Sequence, residues 1–221
     1  LCVFAPSIAA VAQLNETLEK RGCNLRSDGR PILGLSAKAL LQTMLDVDPR
    51  FVMIPAHAWT PWFAVFGSKS GYDSLDECFE ELTPHIRAIE TGLSSDPLMN
   101  RRLSKLDGIT LVSNSDAHSL DNLGREANVF ELETITQRAL MDAIATGDRA
   151  KFLYTIDFFP EEGKYHFTGH RNCGVSYDPE QDRTKGTTCP KCGRELTVWV
   201  MHRVEELADF EEKNYEFEKD V

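Results

Sequence analysis

Asp116 and His118 stand two residues apart in "SNSDAH" (113–118), directly after the apolar run Ile109–Val112. Positions i and i+2 of an extended strand share a face. A carboxylate and an imidazole therefore aim the same way, as ligands of one divalent metal do. A turn after a strand can carry the same residues without function, so the pair needs support from elsewhere. His57 follows "FVMIPA" and Glu90 follows "IRAI", each closing another apolar run. Three strand ends with metal-ligand chemistry point to a divalent, multinuclear site in which carboxylates bridge ions. No Ser, Cys or Thr has an obvious adjacent base, so no protein nucleophile is assigned.

A second constellation is His170 and Cys173, followed by Cys189 and Cys192 in "CPKCG". Paired ligands two residues apart on Gly-bearing turns suit tetrahedral zinc, and a closed set rich in thiolates is structural rather than catalytic. His166 or His202 are alternatives to His170. A redox dithiol fits poorly, because no strand–helix context surrounds "CPKC".

Two loops and one arginine offer substrate contacts. "WTPWFAVFGSKSG" (59–71) sets Trp59 and Trp62 beside Ser68 and Lys69. Aromatic faces stack on bases, and Gly/Ser/Lys loops hold phosphates. The alternative is a hydrophobic lid packed on its own domain. "GLSSDP" (92–97) supplies the hydroxyls of Ser94 and Ser95, or is a plain turn before a helix. Arg125 in "LGREAN" reaches a phosphate or pairs with Asp121 or Glu126.

The elements that must position these residues alternate. Strands are expected at "LCVFAP", "FVMIPAHAW", "IRAIETG", "GITLVSNSDAH" and "AKFLYTIDFF". Helices are expected after Ser7 (ending at Gly22), after Ser36 (stopped by Pro49), over "LDECFEELTPH" and "PLMNRRLSKL", and after Thr134 or Thr136. Such alternation predicts an α/β fold with a parallel sheet, whose ligands gather at the carboxyl ends of its strands. The composition turns polar and Gly-rich after Phe159. Residues 1–159 therefore form the larger unit, 160–203 a small zinc-binding unit, and 204–221 an acidic tail.

A chain of 221 residues, 42% hydrophobic, can bury one sizeable core with a small appendage. It has no run of about 18 apolar residues, so no membrane span is expected. The six cysteines cluster only around the zinc motif, the usage of a cytoplasmic protein rather than a disulfide scaffold. A net charge of −11 does not favour nucleic acid. Its distribution is uneven, however: residues 164–203 carry seven Lys/Arg against four Asp/Glu. The opening "LCVFAP" lacks an initiating Met and reads as an internal strand of a longer protein.

The stretches "PAHAWTPWF", "VFGSKSG", "ETGLSSDP", "SNSDAHS", "LGREAN", "CPKCGR" and "RVEELAD" together resemble the endonuclease Q family. The resemblance spans about Phe4 to Asp209. It implies a partial, distorted (β/α)7 barrel of the polymerase-and-histidinol-phosphatase (PHP) type, followed by a zinc-binding domain. It also implies an endonuclease that cuts DNA 5′ of deaminated bases (uracil, hypoxanthine) or abasic sites, in DNA repair. His57, Glu90, Asp116 and His118 are then ligands of barrel ions (Zn, Mn or Mg), and Ser94 and Ser95 contact an everted base. One structural zinc falls to His170, Cys173, Cys189 and Cys192. The family's upstream H-x-H motif and further acidic and histidine ligands have no counterpart here, so the resemblance implies half a site. The rival readings are a PHP-type small-molecule phosphoesterase and a non-catalytic DNA- or protein-binding module.

Overall fold

The computed structural model describes residues 1–26, 32–163, 165–178, 181, 184–186 and 188–209. Part of the turn-rich "NLRSDGRPILG" and most of the acidic tail lie outside the described residues. The first helix, α1 (Ile8–Lys20), starts where Ser7 accepts the Ala10 N–H at 3.1 Å. It buries Ala10, Leu14 and Leu18 at a spacing of four, one face of a helix. Its partner α2 (Ala37–Val47) starts the same way, with Ser36 accepting the Ala39 N–H. Both caps match the sequence expectation. Gly22 follows the cap Arg21 with φ +81°, the left-handed geometry that glycine adopts without penalty.

Behind these helices lie four short strands. β1 (Cys2–Phe4) pairs antiparallel with β2 (Val52–Ile54), and β3 (Ala88–Glu90) pairs parallel with β4 (Thr110–Val112). Between β2 and β3 two hydrogen bonds close the seam: Glu90 N–H to the Pro55 carbonyl, 2.9 Å, and Ala58 N–H to the Glu90 carbonyl, 3.0 Å. The four strands thus lie side by side, with Met53, Ile54, Ala88, Ile89, Leu111 and Val112 buried. α3 (Leu75–Phe79) and a 3-10 turn (Glu80–His85) lead into β3.

Four expectations change, the first being the helix over "LDECFEELTPH", which stops after the five residues of α3 and continues as a 3-10 turn from Glu80, φ +50°. The parallel arrangement holds for β3 and β4, whereas β1/β2 and a further pair are antiparallel. That pair joins β6 (Phe152–Ile156) to β5 (Ala127–Phe130), a strand that the sequence reading passed over. All four residues of β5 are only half-buried, so its apolar signal is weak. The helix expected over "PLMNRRLSKL" is a single turn, α4 (Pro97–Asn100), then a 3-10 turn at Ser104–Leu106. The Arg101 side chain is buried there, its guanidinium donating to the carbonyls of Leu106 and Ile109. Helix α5 (Gln137–Thr146) starts at Thr136 and ends at Gly147, φ +59°.

The cysteine-bearing segment forms β7 (Thr168–His170) and β8 (Val175–Tyr177), an antiparallel pair, followed by α6 (Val200–Leu207). Val200 and Val204 are fully buried in the main core, so α6 runs across the sequence boundary at 203/204. Arg203 fixes it, donating to the Phe66 carbonyl and to Asp73. No helix of the described residues is long and apolar enough to cross a membrane.

Candidate metal centres and the loops around them

His57 sits in a bulge at the end of β2, with φ +36°, a conformation that a non-glycine residue adopts only when its surroundings impose it. Those surroundings are Glu90 and its neighbours. The Glu90 main chain bonds to Pro55 on one side of His57 and to Ala58 on the other. Its Oε2 accepts the His57 backbone N–H at 2.7 Å, and its Oε1 accepts from Asn114 Nδ2 at 2.8 Å. From the other side Gly92, φ +69°, leaves no room for a side chain. A Cβ there would lie 3.0 Å from both Cα and Cβ of His57. The Thr60 hydroxyl lies 3.0 Å from His57 Nδ1, which orients the ring and leaves Nε2 as the nitrogen that could ligate.

Asp116 is also in the left-handed region, φ +43°. Its carbonyl lies 2.8 Å from His118 Nδ1, so the two residues hold each other's orientation. Arg125 Nε donates to the Ser115 carbonyl at 2.8 Å, which makes Arg125 a brace of this loop. Asn128 on β5 donates to the Ser113 carbonyl and accepts the Ser113 N–H, and it also reaches Asn114. The Asp-x-His loop is therefore tied to Glu90 through Asn114. The Cys2 thiol records the shared field: burial raises its pKa, as do the charges of Glu90 and Asp116.

His57 and Glu90 are thus in direct contact, as are Asp116 and His118, with Asn114 linking the two pairs, yet the four do not close around one ion. Among the described residues, only His170, Cys173, Cys189 and Cys192 bring three or more donor atoms within 4.8 Å of one another. Both Glu90 oxygens are occupied by N–H groups. Asp116 and His118 lie open on the surface, their side chains 55% and 58% exposed. Imidazole and carboxylate donors suit a divalent ion, and the set is open-sided.

The second cluster is closed. Cys173 and Cys192 are each followed by a glycine in the left-handed region, Gly174 at φ +60° and Gly193 at φ +71°. The Cys189 N–H bonds to the Arg194 carbonyl, and the Gly193 N–H bonds to the Cys189 carbonyl. His170 Nδ1 lies 3.2 Å from Cys192 Sγ. Burial pushes the Cys189 thiol up, but His170 and the N–H groups of Lys191 and Cys192 outweigh it and bring its pKa down to about 6. Cys173 goes the other way, to about 11, because it hydrogen-bonds to Cys192, is buried and neighbours Cys189. Three sulfurs and one imidazole at such separations fit tetrahedral zinc. His166 lies elsewhere, buried against Ser94. His202 sits within α6 and is not among the four.

The loop 59–71 behaves largely as a lid. Trp59 is buried, bonded through Nε1 to Asn100 at 2.7 Å and packed on Phe66 at 4.7 Å. The N–H groups of Lys69 and Gly71 go to the carbonyls of Pro61 and Gly67, so they do not cradle an anion. Ser68 donates to the Val198 carbonyl, and Lys69 lies 3.6 Å from Glu195. Trp62 and Phe63 face outward, 47% and 80% exposed. In the turn at 92–95, Ser95 donates to the Thr91 carbonyl and accepts from Asn100. Its hydroxyl holds the turn from within.

Several residues escaped the sequence reading. Asn114 and Asn128 position the Asp-x-His loop, and their signal was an amide beside a ligand motif. Glu126 lies just beyond the Ala127↔Ile156 pair, opposite Asp157. Ser113 Oγ, Glu126 Oε2 and Asp157 Oδ1 are all buried without a hydrogen-bond partner. Burial pushes the Glu126 carboxyl up to about 7. The charges of Asp157 and Glu90 add to that, while the Phe158 N–H, which donates to Oε1, opposes it.

Comparison with known proteins places this geometry in a lineage. Residues 99–148 match the family model described as PHP-associated. The Bacillus subtilis (strain 168) protein YqxK is 31% identical over 213 residues, covering 94% of this chain and 51% of YqxK. The Methanocaldococcus jannaschii protein MJ0043 is 32% identical over 159 residues, 69% of this chain and 19% of MJ0043. Among solved structures, the lesion-specific endonuclease PfuEndoQ of Pyrococcus furiosus superposes with a TM-score of 0.80 at 32% identity, over 95% of this chain and 51% of that one. An Endonuclease Q complex with a 27-mer duplex carrying an abasic lesion at the active site gives a TM-score of 0.82 at 32% identity, over 94% and 51%. The chain spans about half the length of YqxK and of both structures.

Proposed function

The chain is endonuclease Q-like in sequence and fold, and from that premise we propose that it serves metal-dependent hydrolysis of DNA 5′ of deaminated bases (uracil, hypoxanthine) or abasic sites. One observation supports the reading: Glu90, at the end of β3, accepts the His57 backbone N–H with one carboxylate oxygen and the side chain of Asn114, two residues before Asp116, with the other. Two non-glycine residues in left-handed geometry at neighbouring strand ends are the kind of backbone cost that functional sites retain.

In this reading residues 1–159 form part of a PHP barrel with its metal site and the zinc-binding unit begins at 160, while α6 returns the chain to the larger core across the expected 203/204 boundary. His57 through Nε2, Asp116 and His118 are the ligands this chain offers, and Glu90 sets the first of them. Divalent ions held there supply positive charge for the phosphoryl oxygens and acidify water. Thr60 fixes the His57 ring, and Arg125 fixes the Asp116 loop. Trp62 and Phe63 offer faces on which a base can stack. The turn at 92–95 would meet the everted base, with Ser94, itself buried, shaping it from beneath and Ser95 keeping it closed. The six cysteines are all unbridged, which fits a reducing, cytoplasmic setting.

The test is strand cleavage of labelled duplexes carrying one uracil, one hypoxanthine or one abasic site by the natural polypeptide that bears this sequence. The expected result is a single nick 5′ of the lesion that needs added Mg, Mn or Zn and is lost in chelator. Asp116→Ala should abolish it. Hydrolysis of a chromogenic phosphate monoester without nicking would instead favour a small-molecule phosphoesterase. Lesion binding that never cuts would favour a binding module.

A further inference from the structure

Two contacts join the turn at Gly92–Ser95 to the segment that leads into the His/Cys cluster. Gly163 packs its bare α-carbon on the turn: a Cβ there would meet the Leu93 carbonyl oxygen at 2.3 Å and Ser94 Oγ at 2.9 Å. Three residues on, the ring of His166, only 4% exposed, places Nδ1 3.2 Å from the Ser94 carbonyl oxygen. A carbonyl only accepts, so Nδ1 carries the proton and donates. Tyr165 and His166 are also anchored on the chain that enters α6. The Val200 and Met201 N–H groups bond to the carbonyls of Tyr165 and His166, and the Tyr165 ring stacks on Trp199 at 4.6 Å and 15°. From His166 the chain enters β7, whose last residue, His170, is the nitrogen donor of the cluster. The other side of the same turn leans on His57 through Gly92. The turn is thus wedged between a candidate ligand of one centre and the lead-in to the other.

We infer that His166 is a positioning residue through which the order of the His170/Cys173/Cys189/Cys192 cluster sets the Gly92–Ser95 turn, so that a metal outside the cleavage site controls whether the turn can read a base. This inference rests on the proposed reading of the turn as the base-facing element. Its mechanism needs no long-range signal. Phe167 and the three-residue strand β7 connect His166 to the cluster, and the His166 bond is buried, where a lost partner is expensive. With the cluster stripped of metal, β7 would lose its anchor at His170, and the His166–Ser94 bond should open more often.

Two measurements test it. In the first, backbone hydrogen exchange is followed in the natural polypeptide, metal-loaded and after stripping of the cluster, and in His166→Ala. Protection of the Thr91–Ser95 amides should fall in both stripped protein and variant, while His166→Asn, which can donate from Nδ2, keeps most of it. Equal protection of the turn in loaded and stripped protein would overturn the inference, and this holds even if a variant fails to fold. In the second, binding is compared on uracil and abasic duplexes. An abasic site has no base to read, so His166→Ala should weaken the uracil duplex about tenfold and leave the abasic duplex within about twofold. A parallel loss on both duplexes also overturns it. If the unaltered protein recognises neither lesion, the functional reading fails, whereas the exchange experiment still decides the coupling.

Discussion

The side chain of Glu90 accepts the backbone N–H of His57 at 2.7 Å, while the Glu90 main chain bonds to the residues on either side of the His57 bulge. A buried carboxylate used in this way is a clamp on the main chain of a candidate ligand. The sequence reading made Glu90 a bridging ligand instead, and the two roles predict different losses.

Glu90→Gln keeps one acceptor but turns an N–H₂ toward a donor. The clamp role predicts a loss of about 1–3 kcal/mol in chain stability, because a buried N–H is left unmet. Urea unfolding of chelator-treated protein measures it, as a lower midpoint at unchanged m. Unchanged stability together with lost barrel metal would mark Glu90 as a ligand.

Gly92→Ala tests the opposite jaw. Alanine at φ +69° is strained, and its Cβ would lie 3.0 Å from two His57 carbons. The strain and the close approach together should cost about 1–3 kcal/mol. Nicking should fall by more than the folded fraction explains, because His57 must move. Wild-type kcat/KM in a destabilised Gly92→Ala protein would detach His57 from the chemistry.

Metal uptake by the cysteine cluster should release protons. At pH 7 Cys189, with its pKa near 6, is mostly thiolate, whereas Cys173, near 11, is a thiol that must ionise to ligate. Protons therefore compete with the ion. Affinity should rise about tenfold per pH unit above 7 for each proton released, and fall more steeply below 6 as Cys189 also protonates. Competition against a chromophoric chelator between pH 5.5 and 8.5, on the order of the range where these thiols differ, reads the slope. A flat profile would refute the assignment.

Much of this was legible in the residue order. Ser7, Ser36 and Thr136 cap helices as expected, because their signal is local: a hydroxyl and a following N–H. The cluster of His170, Cys173, Cys189 and Cys192 came together as the spacing predicts, since each half is one tight turn. The loop at 59–71 was half read. Its aromatic composition was visible, but nothing local says that Trp59 is buried on Asn100 while Phe63 faces out. Antiparallel pairing of β1 with β2, the β5 strand and the commitment of Glu90 to His57 are tertiary facts. They depend on partners 22 to 52 residues away, and no period or motif in one segment encodes them.

Glu126 gives a prediction in pH. Burial raises its folded pKa to about 7 from an ordinary 4.5, so the folded chain favours the protonated acid. A raised carboxyl pKa contributes nothing adverse below 4.5, where both folded and unfolded forms are protonated. It costs stability increasingly as pH climbs toward 7, because the unfolded chain ionises freely while the folded one resists. The penalty levels off above 7 at no more than about 3 kcal/mol, the equivalent of the shift. Glu126→Gln removes the ionisation but keeps the shape. The variant should therefore be more stable than the wild type at pH 8 by about 1–3 kcal/mol, with the gap closing by pH 5. Urea midpoints at pH 5, 6, 7 and 8, spanning roughly the titration range, measure the gap. A constant difference across that range, or a wild type that gains on the variant as pH rises, would mean that Glu126 stays ionised in the fold and that its buried oxygen has found a positive partner.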